Sequence, residues 1–158
     1  MSKGRVLVVE DNMDTYELMR FILERNEYET FLAMNGRDGV SAALKQKPDL
    51  ILMDMSMPEM DGWEATRRIK QDPKTGSIPL IAVTAHALPG DRQRALDAGC
   101  NDYITKPIQS EEVLARVQTH LALRDLQKKL EANNRDLEQR VQERTAELFA
   151  INQRLEKE

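Results

Sequence analysis

Up to Thr105 the chain alternates between short apolar runs and stretches with the spacing of amphipathic helices. Arg5-Val-Leu-Val-Val9, Leu50-Ile-Leu-Met53 and Ile78-Pro-Leu-Ile-Ala-Val83 are nearly unbroken in apolar character. Such runs suit strands buried on both faces of a parallel sheet. Tyr28 to Ala33 reads as a more polar strand, expected nearer a sheet edge, and Asp102 to Thr105 as a short last one. Between them, Leu18, Met19, Ile22 and Leu23 predict one apolar helix face that ends at Asn26. Asn35-Gly36 turns the chain into a second helix that must stop before Pro48. A third helix is expected from about Asp61 to Gln71, and a fourth runs to Ala98, where Gly99 stops it. Strand and helix thus alternate five times. That order predicts an α/β fold, a parallel sheet with right-handed crossovers and helices on both faces.

The ends of the strands carry the chemistry. The run Leu50 to Met53 stops in a carboxylate, Asp54, and Pro58 and Gly62 then mark a loop leaving the strand's carboxyl end. Ligands bind at that edge of open α/β sheets. An acid placed there is costly to bury unless a cation or a donor compensates it. Glu10-Asp11 follows the first strand, Thr84 caps the fourth and Lys106 follows the fifth. Each alone reads as a surface polar residue. Their convergence on one sheet edge is the signal.

Composition narrows the field. The chain has 158 residues, enough for one ordinary domain and an appendage, with 41% hydrophobic and 32% charged residues. A net charge of -4 argues against general nucleic-acid binding, which calls for a basic surface. The single cysteine, Cys100, excludes an intramolecular disulfide and reads as a small buried thiol. No apolar stretch reaches membrane-spanning length and no signal pattern opens the chain, so a cytoplasmic location is expected.

Glu10-Asp11-Asn12, Asp54 with Met57-Pro58-Glu59-Met60-Asp61-Gly62, Val83-Thr84-Ala85 and Lys106-Pro107 resemble the receiver domain of two-component response regulators, the CheY-like family. The resemblance spans roughly residues 4 to 122, with the motifs in order. It implies a flavodoxin-like fold of five strands and five helices. One departure is Asn26-Glu27, where a glycine often ends the first helix. The resemblance implies that Asp54 accepts a phosphoryl group from a phosphohistidine on a sensor histidine kinase or a phosphotransfer protein. It implies magnesium (Mg2+) as cofactor, held by Asp11 and Asp54, by Glu10 through water and by the backbone carbonyl of Ser56. Lys106 would pair with a phosphoryl oxygen, while the Thr84 hydroxyl and the Ala85 N–H would bind others. Thr84 and Tyr103 would form the switch, Ser56 and His86 would tune hydrolysis, and Lys106-Pro107 would carry a cis bond. On this reading the chain accepts and sheds phosphate but is not an enzyme acting on other molecules. Neither His86 nor His120 lies in a kinase-like phosphoacceptor motif.

From Gln109 onward there is no Gly and no Pro, and Ser110-Glu-Glu-Val113 looks like a capped helix start. A helix of about 49 residues and about 70 Å is expected there. A lone helix of that length buries no apolar face, so a partner is expected. Leu123, Leu126, Leu130, Asn133, Leu137, Val141, Arg144, Leu148, Ile151 and Leu155 follow steps of three and four, the seam of a coiled coil with two polar positions. Two successive steps of four, Asn133 to Leu137 to Val141, form a stutter. Acids precede bases by four at Asp125–Lys129, Glu131–Arg135 and Asp136–Arg140, which supports a solvated helix surface. The expected layout is a receiver over residues 1–122 and a signalling helix over 123–158, pairing two chains in parallel, with an output domain expected beyond Glu158.

Other readings make distinct demands. A single-domain or hybrid-kinase relay receiver would need no output of its own. An aspartate-nucleophile phosphatase needs a second acid two residues after the nucleophile, where this chain has Ser56. A flavin carrier of the same fold would place a phosphate among three acids. A purely structural coiled coil would have no use for Asp11, Asp54, Thr84 and Lys106 together.

Overall fold

Parallel strands cannot be joined by tight turns, so each strand must be followed by a crossover, and the apolar runs are spaced for that. The structure, a computed structural model, describes residues 2–85 and 88–157. The strands are β1 (Gly4–Val9), β2 (Tyr28–Ala33), β3 (Leu50–Asp54), β4 (Leu80–Thr84) and β5 (Asp102–Thr105). They alternate with α1 (Met13–Arg25), α2 (Gly36–Gln46), α3 (Gly62–Gln71), α4 (Asp91–Asp97) and α5 (Ser110–Glu156). All neighbouring strands pair in parallel in the order β2-β1-β3-β4-β5. The fold is flavodoxin-like.

The apolar runs are unbroken because both sheet faces are covered. Leu7, Val9, Ile51, Met53, Leu80 and Ala82 pack with Ala43, Ala65, Ile69 and Ala95 of α2, α3 and α4. Val6, Val8, Leu50, Leu52, Ile81 and Val83 alternate with them and pack with Met19, Leu23, Val113 and Val117 of α1 and α5. The period of two along each strand therefore feeds two separate cores. β2 lies at the edge, as its polar composition predicts. Asn12, Asn35 and Asp61 each cap the following helix by accepting an N–H three residues on.

Three expectations need correction. Leu18 is 43% exposed, because the buried face of α1 is Tyr16, Met19, Ile22 and Leu23, a phase that leaves Leu18 outside. Ile78 and Pro79 precede β4: Pro79 has no N–H to give the ladder, although its carbonyl accepts from Ile51, and Thr84 is the strand's last residue. Ser110 lies inside α5, with the Gln109 carbonyl accepting the Val113 N–H, so Ser110 is not the cap.

The chain divides into two units, Met1–Leu121 and Ala122–Glu158. The second is helical, and its seam residues from Leu123 to Leu155 are exposed. Of the expected charge pairs, Asp136–Arg140 forms at 3.3 Å.

Candidate functional site

Register brings the strand ends level. Val9 pairs with Met53, Asp54 with Val83 and Thr84 with Thr105. One residue beyond β1 and β5 stand Glu10 and Lys106, so a single edge of the sheet gathers Glu10, Asp54, Thr84 and Lys106. The carboxylates of Glu10, Asp11 and Asp54 can place oxygens within 4.8 Å of one another. Glu10, Asp54 and Thr84 are buried, and Asp11 is exposed.

Each oxygen of Asp54 has a definite neighbour. Oδ1 accepts the Ser56 N–H at 3.0 Å, and Oδ2 lies 3.6 Å from Lys106 Nζ. Glu10 Oε1 accepts the Asn12 N–H at 3.2 Å, while Oε2 lies 3.4 Å from Lys106 Nζ. Oε2 is nonetheless buried with no hydrogen-bond partner among the described residues. Burial pushes the Glu10 carboxyl up to about 7, and the charge of Asp54 beside it adds to the shift. The Lys106 ammonium and the Asn12 N–H oppose it. The Lys106 ammonium thus lies within 4 Å of two of the three grouped carboxylates, Glu10 and Asp54. Oxygen-only donors with uncompensated negative charge and an orphaned buried oxygen fit a hard divalent cation such as Mg2+.

The loop after Asp54 is held by close packing. A side chain on Gly62 would collide with the Asp54 carbonyl and the Met55 backbone, so the start of α3 can approach β3 only as glycine. Glu59, in the same loop, adopts a left-handed φ of 64°. The Lys106-Pro107 bond is cis.

The remaining expected residues fall as follows. Ser56 and Ala85 are exposed beside the cluster in sequence. His86 lies outside the described residues. Tyr103 is partly buried against the α2–α3–α4 core, and burial followed by the charge of Asp91 raises its phenol above the ordinary range. His120 lies at the opposite, amino end of β5 from Lys106: its Nε2 is 2.8 Å from Asp102, which Arg116 also contacts at 2.6 Å. Asn12 and Gly62 belong to the motifs, but their contributions, a backbone N–H to Glu10 and a close approach to β3, are not expected from the sequence. An asparagine just ahead of a helical apolar period and a glycine opening one were the available signals.

Comparison with known proteins gives the family and the fold. The family model described as the response regulator receiver domain matches residues 6–118. The polar-differentiation response regulator DivK of Brucella anthropi is 40% identical over 116 residues, covering 73% of this chain and 94% of that protein. Among solved structures, the receiver domain of sensor histidine kinase PA1611 from Pseudomonas aeruginosa PAO1 is similar, with TM-score 0.71 and 37% identity. That match covers 75% of this chain and 98% of the other, whose active-site cleft coordinates a magnesium ion. The signal receiver domain of a histidine kinase from Syntrophus aciditrophicus gives TM-score 0.70 and 38% identity, covering 75% and 90%.

Proposed function

The chain belongs to the response regulator receiver domain family, and on that footing we propose that Asp54 is its phosphoryl acceptor. The observation that carries this is the buried Asp54 carboxylate with Lys106 Nζ at 3.6 Å and two further acids in reach. A partner's phosphohistidine donates the phosphoryl group. One Asp54 oxygen forms the new P–O bond as the P–N bond breaks, and the imidazole keeps the electron pair and takes a proton. Lys106 follows the charge as it moves onto the phosphoryl oxygens, acting as a point charge. The Ser56 N–H orients the carboxylate through Oδ1. Asp11 and Asp54 would hold Mg2+ directly, with Glu10 through water and Ser56 through its carbonyl. The ion, when bound, offsets the negative charge that would otherwise repel an incoming phosphoryl group.

Transmission on this reading runs through Thr84 and Tyr103. Both stand on adjacent strands, with Thr84 paired to Thr105 and Ala82 to Tyr103. A Thr84 hydroxyl drawn to the phosphoryl group biases where the Tyr103 ring rests, and Ala85 supplies an N–H to another oxygen. A ligand shifts such an equilibrium only through contacts that differ between states, and this hydrogen bond is that contact. The tail pairs two copies in parallel and carries the state to an output, with the receiver otherwise acting only to accept and lose phosphate. No helix among the described residues is long and apolar enough to cross a membrane; the kinase partner is proposed to be met in the cytoplasm. A second reading, a relay receiver belonging to a hybrid kinase, draws on the two structural relatives that are receivers of histidine kinases.

Acetyl phosphate with Mg2+ should add one phosphoryl mass to the intact chain, and Asp54→Asn should abolish it. Equal uptake by the variant would refute the assignment.

A further inference from the structure

The seam of the tail contains an ambiguity that the two asparagines bring out. Leu123, Leu130 and Leu137 repeat every seven residues along α5 and are 53%, 61% and 55% exposed. A residue repeating at seven makes a seam only with a companion three or four positions later. Three later stand Leu126 and Asn133, and four later stand Gln127 and Asn134. With the first pair in the seam, the step from Leu137 to Val141 is a second consecutive four, and the coil unwinds locally there. With the second pair, the same step is ordinary and the heptads run unbroken to Leu155.

We infer that residues 123–137 pair with the same segment of a second copy in two interchangeable registers, between which the state of the Asp54 site selects. One register seats Leu126 and Asn133, the other Gln127 and Asn134. The inference rests on the parallel pairing proposed above and adds the second register to it. The registers differ by a rotation of each helix of about 50°, since three residues at roughly 3.5 per turn fall that far short of a full turn. Neither choice dominates on chemistry. The first buries Leu126 but interrupts the repeat, and the second keeps the repeat but brings the Gln127 amide into the seam. Either way one asparagine faces its own twin: Asn133 does so at a d position in the first register, and Asn134 at an a position in the second, where such a contact favours two identical chains aligned in parallel.

The flanks of the seam also accept a second copy. In the first register Lys129 faces Asn134 of the other copy. In the second, Leu126 faces Glu131 and Asn133 faces Glu138, so neither arrangement opposes like charges there. The helix that carries the seam also supplies Val113 and Val117 to the receiver core, with no Gly or Pro between. A turn of its receiver end about the helix axis is therefore carried into the seam, and 123–137 is where two rotations are both accommodated.

Disulfide trapping in the full chain tests this, with single cysteines at Leu126, Gln127, Asn133 and Asn134. Cys100 is buried, and the unmodified chain serves as the blank. Leu130→Cys reports pairing in both registers, and Ala132→Cys faces outward in both. The expected result is same-residue crosslinking at Asn133 and at Asn134 but not at Ala132, with Leu126 following Asn133 and Gln127 following Asn134. Mg2+ with beryllofluoride should move the ratio of the two sets by about tenfold, equivalent to about 1.4 kcal/mol between registers. Leu126→Gln should drive crosslinking to Asn134. Crosslinks confined to one set under every condition, or a ratio indifferent to beryllofluoride, would overturn the inference while leaving parallel pairing intact. A Leu130→Cys chain that does not crosslink to itself would remove the pairing and the inference together.

Discussion

Val113 and Val117, in the first turns of α5, are 1% and 0% exposed, whereas Leu126, Leu130 and Leu137 farther along the same helix are 62%, 61% and 55% exposed. The chemical character of the side chains is the same. What differs is the neighbourhood: Val113 and Val117 pack into the apolar core on one face of the sheet, whereas the leucines belong to the second unit, a helix that holds no sheet of its own among the described residues. In the first unit burial is satisfied within the chain, and the polar edge of the sheet is left for chemistry. In the second unit the apolar stripe is the unsatisfied part. Truncating side chains in each unit should therefore have separable effects. Leu52→Ala should lower the stability of the receiver by about 2–5 kcal/mol. Leu130→Ala should leave it within about 0.5 kcal/mol but weaken association of the chains. Trp63, the only tryptophan, lies in α3 and reports receiver unfolding in urea, while light scattering reports association. A large change in the Trp63 transition on Leu130→Ala would break the comparison.

Charge divides the units in the same way. Asp136 and Arg140 are paired at 3.3 Å but 59% and 71% exposed, so their loss should cost little. Glu10 is fully buried, with its carboxyl held up at about 7 by burial first and by Asp54 second. A carboxyl raised above its unfolded value of 4.5 binds a proton in the folded state that the unfolded chain has released. Its contribution is fully present below about pH 4.5 and is lost as pH rises through about 7, at most about 3 kcal/mol. The metal-free protein should thus lose this contribution between pH 5 and 8, and Glu10→Gln should flatten that slope. Mg2+ should restore stability chiefly at the upper end, where Glu10 is free to ionise. Urea midpoints at the two pH values with and without Mg2+ check this, and parallel slopes in both proteins would sink it.

How much of this could be read in advance follows from which signals are local. Asp54 was legible because an apolar strand stops abruptly in an acid, and Glu10, Thr84 and Lys106 share that change of character at a strand end. The phase of α1 was less so: adjacent apolar residues Leu18 and Met19 leave the helix a step apart, and only packing against the sheet decides which is buried. Distances set by tertiary register were invisible, including the orphaned Oε2 of Glu10. The same holds for Lys70, whose ammonium donates to the Ile78 carbonyl at 2.6 Å and to Asn101 at 2.8 Å. Burial pushes that amine down to about 8. A lysine in a helical period reads as solvated surface until the neighbouring loops are placed around it.

The backbone gives the finest contrast. The first unit holds Glu27, Lys47 and Glu59 at left-handed φ values of 70°, 47° and 64°, and none of the described residues of the second unit does so. Lys47 ends α2 in that conformation and stands directly before Pro48, which restricts it further. A side chain there works against the backbone, and glycine relieves the clash at some cost in unfolded-state entropy. Lys47→Gly should therefore stabilise the receiver, by about 0.5–1 kcal/mol. The same substitution at Lys128 meets an ordinary helical backbone on the outer face of the tail, where glycine only adds freedom to the unfolded chain. Lys128→Gly should weaken the helix by about 0.5–1 kcal/mol. Opposite signs for one substitution, read by urea unfolding at Trp63 for the first and by thermal loss of helical circular dichroism in the tail for the second, would show that strain is confined to the unit that builds the site. A destabilised Lys47→Gly receiver would mean that the left-handed turn is held by the lysine side chain rather than endured by it.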